Sequence, residues 1–308
     1  MVKVFLLIIV GLSGDPEIGK LFHKWGNTLA DASERLGVAP DHLVYLVDAE
    51  QEGDKHVTGR ATREAIVKAF DAVAKQASAD DVVFITLIGH GSYSNNMAKF
   101  NLPGPDLGPA DFNGLLKKLP AKQIVFVDTT SSSGPFLEEL SAPGRTIVTA
   151  TRNGAEQYDT LFGGYFVEAL TSGEADADKN QRVSVLEAYQ YAKREVTRAY
   201  EREGLLSTEH ALLDDNGDKE GSQDPSATGT DGKVASIIAL GATETAGLPS
   251  DPKIRALYVE RRDMERRVEA LKLLKDSMDP ARYSSELEKL VTDIALKTRE
   301  IRTAESAK

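Results

Sequence analysis

The stretch Gln123–Phe136, QIVFVDTTSSSGPF, decides the fold class of this 308-residue chain. A run of four apolar residues leads into Asp128, and five consecutive hydroxyl residues, 129–133, follow it before a Gly-Pro pair. A short β-branched run that ends in small polar residues is typical of a buried strand that delivers a loop. In open α/β sheets such loops bind ligands, because they lie at the carboxyl ends of the strands. The stretch therefore predicts a buried strand and a candidate site directly after it.

A second strand of the same kind, VVFITLI at 82–88, ends in Gly89-His90-Gly91-Ser92. We expect the histidine and the hydroxyl residues to lie on the same edge of one sheet. Further strands and helices alternate along the N-terminal half, with strands at 4–10, 42–47 and 146–150 and helices at 17–36, 62–77, 111–119 and from 164. Strands that alternate with helices indicate parallel βαβ units, and hence an α/β sheet that is covered on both faces.

The composition excludes several classes of protein. The formal net charge is -11, which argues against non-specific nucleic-acid binding. The chain contains no cysteine, which excludes disulfides, thiolate metal sites and a cysteine nucleophile. The longest apolar run, Val4–Val10, is far shorter than the ~18 residues that a membrane span needs. We expect a soluble protein, and the sequence leaves open whether it is cytoplasmic or exported after removal of a signal peptide.

Two regions after residue 200 differ from the α/β part. The stretch 214–233 is polar and glycine-rich, and it predicts a mobile loop or an insertion within an α/β domain of residues 1–245. From residue 251 apolar residues recur at a spacing of seven on both sides of Asp279-Pro280: Leu257, Met264, Leu271 and Met278, then Leu287, Ile294 and Ile301. This spacing predicts an antiparallel helical hairpin over 251–308, with its apolar seams closed within the hairpin, as in a coiled coil, or against another subunit in a homo-oligomer.

The two strand ends carry a resemblance to a known family. A strand that ends in His-Gly, followed by a strand that ends in an acidic residue, hydroxyl residues and Ser133-Gly134, resembles the caspase-like cysteine peptidases, and most of all their legumain-type branch, peptidase family C13. The segment IIVGLSGDPE at 8–17 and the aromatic-bearing helix at 161–170 agree with this resemblance, which covers roughly residues 1–200. It implies a three-layer caspase-like α/β domain with a mostly parallel central sheet, a peptide or protein partner, and no required cofactor.

In that family a histidine and a cysteine form the catalytic dyad, and backbone amides near the His-Gly stabilise the oxyanion. His90 and Gly91 match this pattern. The cysteine position falls on Ser131 when it is counted back from the Ser-Gly pair, and on Thr130 when it is counted forward from Asp128. The loop is one residue longer than either register allows, so both residues remain candidates.

The missing cysteine leaves three hypotheses open. A hydroxyl is far less acidic than a thiol and attacks only when a general base, normally a histidine oriented by a carboxylate, takes its proton. Asp128 and Asp15 are the candidates for that carboxylate. The first hypothesis is a pseudopeptidase that binds peptides or proteins without cleaving them, the second is a serine or threonine hydrolase, and the third is an assembly protein that works through 251–308. Gly164 stands where asparagine-specific members carry an acidic residue, so their specificity is not implied.

A second constellation is the sequence DADKNQRVSVLE at 176–187. Six of its residues match the ligand positions of an EF-hand calcium loop: Asp176, Asp178, Asn180, the carbonyl of Arg182, Ser184 and Glu187. Gln181 stands where a glycine normally permits the sharp turn of that loop. The alternative is an acidic surface turn with Glu187 in the first turn of a helix, where the helix dipole favours it. A weaker acidic cluster of the same kind lies in LLDDNGDKEG, at Asp214, Asn216 and Asp218.

Overall fold

A computed structural model of the chain describes residues 2–51, 53–180, 182–240, 251–273, 275 and 278–306. The chain divides into two compact units, Met1–Gly241 and Ala242–Lys308, and each is described by itself. The elements in chain order are β1 (Val4–Val10), α1 (Pro16–Asp31), β2 (Leu43–Val47), β3 (Gly59–Arg60), α2 (Arg63–Gln76), β4 (Val82–Ile88), β5 (Gly91–Ser94), β6 (Met97–Phe100), α3 (Pro109–Leu116), β7 (Gln123–Asp128), α4 (Gly134–Leu140), β8 (Arg145–Thr149), α5 (Phe162–Ser172), β9 (Val183–Ser184), α6 (Val185–Glu203), β10 (Leu212–Asp214), β11 (Ala239–Leu240), α7 (Pro252–Leu273) and α8 (Pro280–Ser306).

Seven strands of the first unit form one sheet in the order β10-β8-β7-β4-β1-β2-β3. The pairs from β8 through β3 are parallel, whereas β10 lies antiparallel to β8. The chain continues from β1 to β2 on one side and returns to β4 on the other side. The strand order therefore reverses between β1 and β4, and an α/β sheet binds its ligands at such a switch point.

Helices cover both faces of this sheet, because its central strands are apolar on both sides. On one face α1, α5 and α6 pack on the strands through residues that include Phe22 and Tyr189. On the other face α2, α3 and α4 pack through residues that include Phe70 and Phe112. The predicted three-layer α/β fold with a mostly parallel central sheet is confirmed.

Several short elements were not predicted from the sequence. The β5–β6 hairpin directly follows His90 and turns at Asn95 and Asn96, whose φ angles are 52° and 60°. Two consecutive residues with positive φ are typical of the tight turn that joins twisted strands, and asparagine tolerates this conformation well. A further short strand lies at Ala239–Leu240, and α1 ends at Asp31 rather than at residue 36.

The stretch 214–233 consists of turns and bends in the structure. Three of its carboxylates are buried, and each accepts from a backbone amide of the same stretch: Asp214 from Gly217 N at 2.9 Å, Asp215 from Gly232 N at 2.9 Å, and Asp231 from Asp215 N at 3.3 Å. The expected mobility of this stretch stays a prediction.

The second unit is an antiparallel hairpin of α7 and α8. Residues near the start of α7 meet residues near the end of α8: Tyr258 Oη donates to Glu305 at 2.8 Å, and Lys297 Nζ lies 2.7 Å from a carboxylate oxygen of Glu260. An apolar seam that includes Val268 and Leu290 closes between the two helices. Among the helices that the structure describes, none combines the length and the apolar character of a membrane span.

Candidate functional site

His90 and the hydroxyl loop 129–133 follow two neighbouring parallel strands, β4 and β7. The His90 ring packs edge-on against Phe22 of α1, with 5.2 Å between ring centroids. Its Nδ1 lies 3.4 Å from a carboxylate oxygen of Asp159, and about a fifth of the side chain (21%) is exposed. The structure thus brings the predicted histidine and the hydroxyl loop to one edge of the sheet, beside the switch point.

Ser131 is the hydroxyl residue of the loop that contacts the His-Gly peptide. Its Oγ accepts a hydrogen bond from Gly91 N at 3.2 Å and donates to Gly91 O at 3.1 Å. The backbones approach so closely that a Cβ at Gly91 would collide with the carbonyl oxygen of Ser131. Glycine at this position therefore follows from packing, since any side chain would push the two loops apart. Ser131 itself is 2% exposed.

Thr130 also lies near Gly91, but it hydrogen-bonds to the strand that precedes it. Its Oγ1 donates to Asp128 Oδ1 at 2.7 Å, and its backbone N–H donates to the same oxygen at 3.0 Å. Both residues are fully buried. Burial raises the pKa of Asp128 to about 7, although the two hydrogen bonds from Thr130 oppose the shift. Within the described part of the chain, the other carboxylate oxygen of Asp128 has no hydrogen-bond partner.

The carboxylate beside His90 is Asp159, which the sequence analysis did not single out. Asp15 instead caps α1, where it accepts from the backbone amides of Glu17 at 2.8 Å and Ile18 at 3.2 Å. Asp128 is engaged by Thr130. Neither expected carboxylate therefore lies beside His90. Asp159 comes from the loop after β8, and because it is far from His90 in sequence, no local sequence pattern predicts the contact.

No hydroxyl of loop 129–133 hydrogen-bonds to His90 in the part of the chain that the structure describes. Each has another acceptor or partner: Thr129 donates to Leu87 O, Thr130 to Asp128, Ser131 to Gly91 O, Ser132 to Gly154 O, and Ser133 pairs with the Thr151 hydroxyl. A serine or threonine nucleophile needs a base within hydrogen-bond reach. The site therefore holds a histidine oriented by a carboxylate, but not in contact with a hydroxyl.

A second histidine, His23 on α1, lies in a polar cluster near this edge of the sheet. The buried His23 has Nε2 2.8 Å from Asp48 and Nδ1 3.4 Å from Asp54. Burial lowers its pKa, but the hydrogen bonds and charges of the two aspartates outweigh that effect, so the pKa of His23 is raised. Asn27 also donates to Asp54, at 2.8 Å. This cluster fastens α1 to the loop after β2, next to Phe22.

The acidic loop after α5 brings three predicted ligands together. One carboxylate oxygen from each of Asp176, Asp178 and Glu187 lies within 4.8 Å of the others. Ser184 caps α6, with mutual hydrogen bonds between its Oγ and N–H groups and Glu187, so the helical alternative is also realised. Asn180 donates its backbone N–H to both Asp176 and Asp178 at 3.0 Å. Gln181 lies outside the described residues.

The weaker cluster is split between the interior and the surface, because Asp214 is buried whereas Asn216 and Asp218 are exposed. Asp214 is fully buried and accepts from the backbone amides of Asn216 and Lys219 as well as from Gly217. Asn216 and Asp218 hydrogen-bond to each other, at 2.7 Å from Asp218 N and 2.9 Å from the Asn216 amide.

The fold and the site together define a caspase-like α/β protein. The model of the peptidase C13 family matches residues 55–213, just over half of the chain, and the chain belongs to this family. No curated protein matches the sequence. Among solved structures, the chain is similar to a crystal structure of a protein from Geobacter sulfurreducens, with 12% identity, 69% of this chain and 92% of that chain covered, and a TM-score of 0.45.

Proposed function

We propose that this C13-family protein is a pseudopeptidase, which binds a peptide or a partner protein at the His90 edge of the sheet without cleaving it. One observation carries the proposal. The chain has no cysteine, and Ser131, the residue that we assign to the nucleophile position, hydrogen-bonds to Gly91 rather than to His90. Gly91 N is the amide that would stabilise an oxyanion in this family, which supports Ser131 over Thr130 for that position.

The chemistry of the hydroxyl explains why this arrangement does not cleave. A thiol has a reference pKa near ~8.5, and a neighbouring imidazolium can hold it as the thiolate. A serine hydroxyl stays protonated at every physiological pH, so it reacts only if a base removes its proton during attack. The Ser131 hydroxyl instead donates its proton to a backbone carbonyl, at 3.1 Å. The site can therefore bind a peptide without cleaving it.

The edge around His90 carries features that suit a peptide. Three apolar side chains follow the strands on this edge and are exposed: Leu12, Tyr158 and Leu161. Large exposed apolar groups near a polar site are typical of protein–protein and ligand contacts. The partly exposed His90 lies in the same edge, with Asp159 beside it.

The first experiment selects peptides from a random displayed library with the unmodified protein. Affinities of the selected peptides are then measured by fluorescence anisotropy for the unmodified protein, for His90→Ala and for His56→Ala. His56 is the matched control, because it is also a partly exposed histidine paired with an aspartate, Asp31. We expect His90→Ala to weaken binding at least ~10-fold, which is about 1.4 kcal/mol, and His56→Ala to leave it unchanged. Equal affinities for all three proteins would refute a binding site at His90.

The rival function is a serine hydrolase, and the His90–Asp159 pair favours it. A base oriented by a carboxylate is two thirds of a catalytic triad. The test is labelling with a fluorophosphonate probe and mass spectrometry of the labelled peptide. Labelling of Ser131 or Thr130 that disappears in His90→Ala would establish the hydrolase and refute the pseudopeptidase, whereas the proposed function predicts no labelling at either residue.

We further propose that the loop 176–187 binds Ca²⁺. Carboxylate oxygens of Asp176, Asp178 and Glu187 converge in the loop, and hard cations such as Ca²⁺ take six to eight oxygen ligands of this kind. The remaining oxygens would come from Asn180, Ser184 and the carbonyl of Arg182. Without a cation the three carboxylates repel one another, so binding should stabilise the fold.

Calorimetric titration and thermal unfolding in chelator-treated buffer test this site. We expect Ca²⁺ to raise the melting temperature of the unmodified protein and to have little effect on Asp178→Asn. The matched control is Asp224→Asn, an exposed carboxylate that pairs with Lys193 outside the loop and should leave the Ca²⁺ response intact. A melting temperature that does not change in millimolar Ca²⁺ would contradict the proposal.

A further inference from the structure

The segment Arg152–Leu161, which we call the strap, crosses the hydroxyl loop between β8 and α5. It has no regular secondary structure. Ser132 N donates to the carbonyl of Glu156 at 2.8 Å, and Ser132 Oγ donates to the carbonyl of Gly154 at 3.0 Å. Thr160 Oγ1 donates to the carbonyl of Thr129. Both sides of Ser131 are thus tied to the strap through the backbone.

The strap also contacts His90 and the β5–β6 hairpin. A carboxylate oxygen of its Asp159 lies 3.4 Å from His90 Nδ1. Gln157 donates to the carbonyl of Tyr93 in the β5–β6 hairpin at 3.3 Å, and Gly154 lies directly on the Tyr93 ring, where a Cβ would collide with it. Strap, hairpin and hydroxyl loop together leave Ser131 only 2% exposed.

Polar contacts hold the strap down from its outer side. Glu156 lies 2.9 Å from Arg152 Nε and 2.7 Å from His210 Nδ1, and His210 N donates to its second oxygen at 3.1 Å. Glu209, the neighbour of His210, accepts from Leu161 N at 2.8 Å at the end of the strap. The Glu156 carboxylate therefore joins the strap to a different segment of the chain, because one of its oxygens lies 2.7 Å from the His210 ring and the other accepts from the His210 backbone N–H.

We propose that the strap is an autoinhibitory cover. In its closed position it buries Ser131 and holds Asp159 beside His90, and it opens when the contacts between Glu156 and His210 break. This inference rests on the proposed function in one respect, namely that a peptide binds at the His90 edge; the exposed Tyr158 and Leu161 belong to the strap and move with it when it opens. The cover itself is argued from the contacts alone. The strap is short, lacks helix or strand ladders of its own, and is held by separate hydrogen bonds rather than by a continuous ladder, so it can open without unfolding the sheet.

The absence of cysteine allows a direct test, since one introduced thiol is the only one in the protein. Ser131→Cys places that thiol beneath the strap, and Ser94→Cys places it at the exposed end of β5 as the accessible reference. Thr130→Cys places it on the fully buried Thr130 side chain, beside Asp128, so its labelling reports global unfolding. The readout is the rate of labelling by a neutral maleimide under native conditions, with circular dichroism to verify folding.

We expect the maleimide to label Ser131→Cys at a rate at least ~100-fold lower than Ser94→Cys. Adding Glu156→Ala should accelerate the labelling of Ser131→Cys at least ~10-fold while the labelling of Thr130→Cys remains slow. Asp159→Asn provides a milder second variant, which weakens the contact with His90 and should accelerate labelling to a smaller extent.

Two results would refute the proposal that the strap is a cover. The first is labelling of Ser131→Cys as fast as that of Ser94→Cys without any release substitution. The second is labelling that stays slow in both release variants while their folds remain intact. If Glu156→Ala does not fold, Asp159→Asn alone decides. No peptide enters the measurement, so a failure here leaves the proposed binding function standing, and a protein that binds no peptide can still show the cover.

Discussion

Asp128 directly precedes the hydroxyl loop. Replacing it by asparagine should remove most of the pH dependence of the free energy of unfolding that arises in this part of the protein. The Asp128 carboxyl is fully buried, and burial raises its pKa from 3.8 to about 7. The Thr130 bonds to Oδ1 are compatible with asparagine, whose carbonyl oxygen accepts both. The substitution therefore keeps the shape and the main hydrogen bonds, and changes only the ability to ionise.

The sign and size of the effect follow from the two pKa values. Between about pH 4 and pH 7 the carboxyl is ionised in the unfolded chain and protonated in the folded protein, so the unfolded state binds fewer protons. Stability falls as pH rises, by about 1.4 kcal/mol per pH unit and by about 4 kcal/mol across the window. We expect this contribution to be fully present at pH 4 and lost above pH 7, and to be absent from Asp128→Asn.

Urea unfolding at half-unit steps from pH 4 to pH 8.5 measures this directly. Asp128→Asn should be equal to or about 1 kcal/mol less stable than the unmodified protein at pH 4.5, because its amide leaves a buried donor unpaired. It should be the more stable of the two at pH 8. Asp81→Asn is the control of opposite sign: burial raises the Asp81 pKa, but hydrogen bonds from Lys3 and Ser78 outweigh burial and lower it. Parallel pH curves for the unmodified protein and Asp128→Asn would refute the assignment of the pH dependence to this carboxyl.

Three further predictions concern packing, charge and assembly. Gly91→Ala should cost about 1–3 kcal/mol in urea unfolding, because a Cβ meets the Ser131 carbonyl, whereas Gly114→Ala, with open space in α3, should be neutral or stabilising by up to ~1 kcal/mol. His23→Gln should lower stability at pH 6 and have a much smaller effect at higher pH. The pKa of His23 is raised in the folded protein, so its contribution to stability is full below the pKa of the unfolded chain and is lost as pH rises through the pKa of the folded protein. Equal losses at pH 6 and pH 9 would contradict this. If the 251–308 hairpin drives homo-oligomerisation, sedimentation of the full chain should give a multimer and a chain ending at 250 a monomer; two monomers would remove that hypothesis.

Much of the fold was predictable because its signals are local. The apolar runs at β1, β4 and β7 and the helices between them follow from residue patterns over a few turns, and the apolar spacing of seven in α7 and α8 predicts the hairpin. The β5–β6 hairpin was missed although its Asn95-Asn96 turn was visible, since a four-residue strand with mixed polarity carries a weak pattern. The edge strand β10 was missed because it is three residues long and stable only through its pairing with β8.

The candidate site divides in the same way. The sequence by itself predicted that His90 and the hydroxyl residues share one sheet edge, because βαβ units make the strands parallel and so place their carboxyl ends together, and it excluded a thiolate by composition. Tertiary structure alone shows how the two candidate hydroxyls differ: Ser131 hydrogen-bonds to Gly91, whereas Thr130 hydrogen-bonds to Asp128. It also decided that Asp159, not Asp15 or Asp128, pairs with His90 and that the strap covers the loop. These contacts join segments far apart in sequence, where no periodicity links the partners and only packing in three dimensions brings them together.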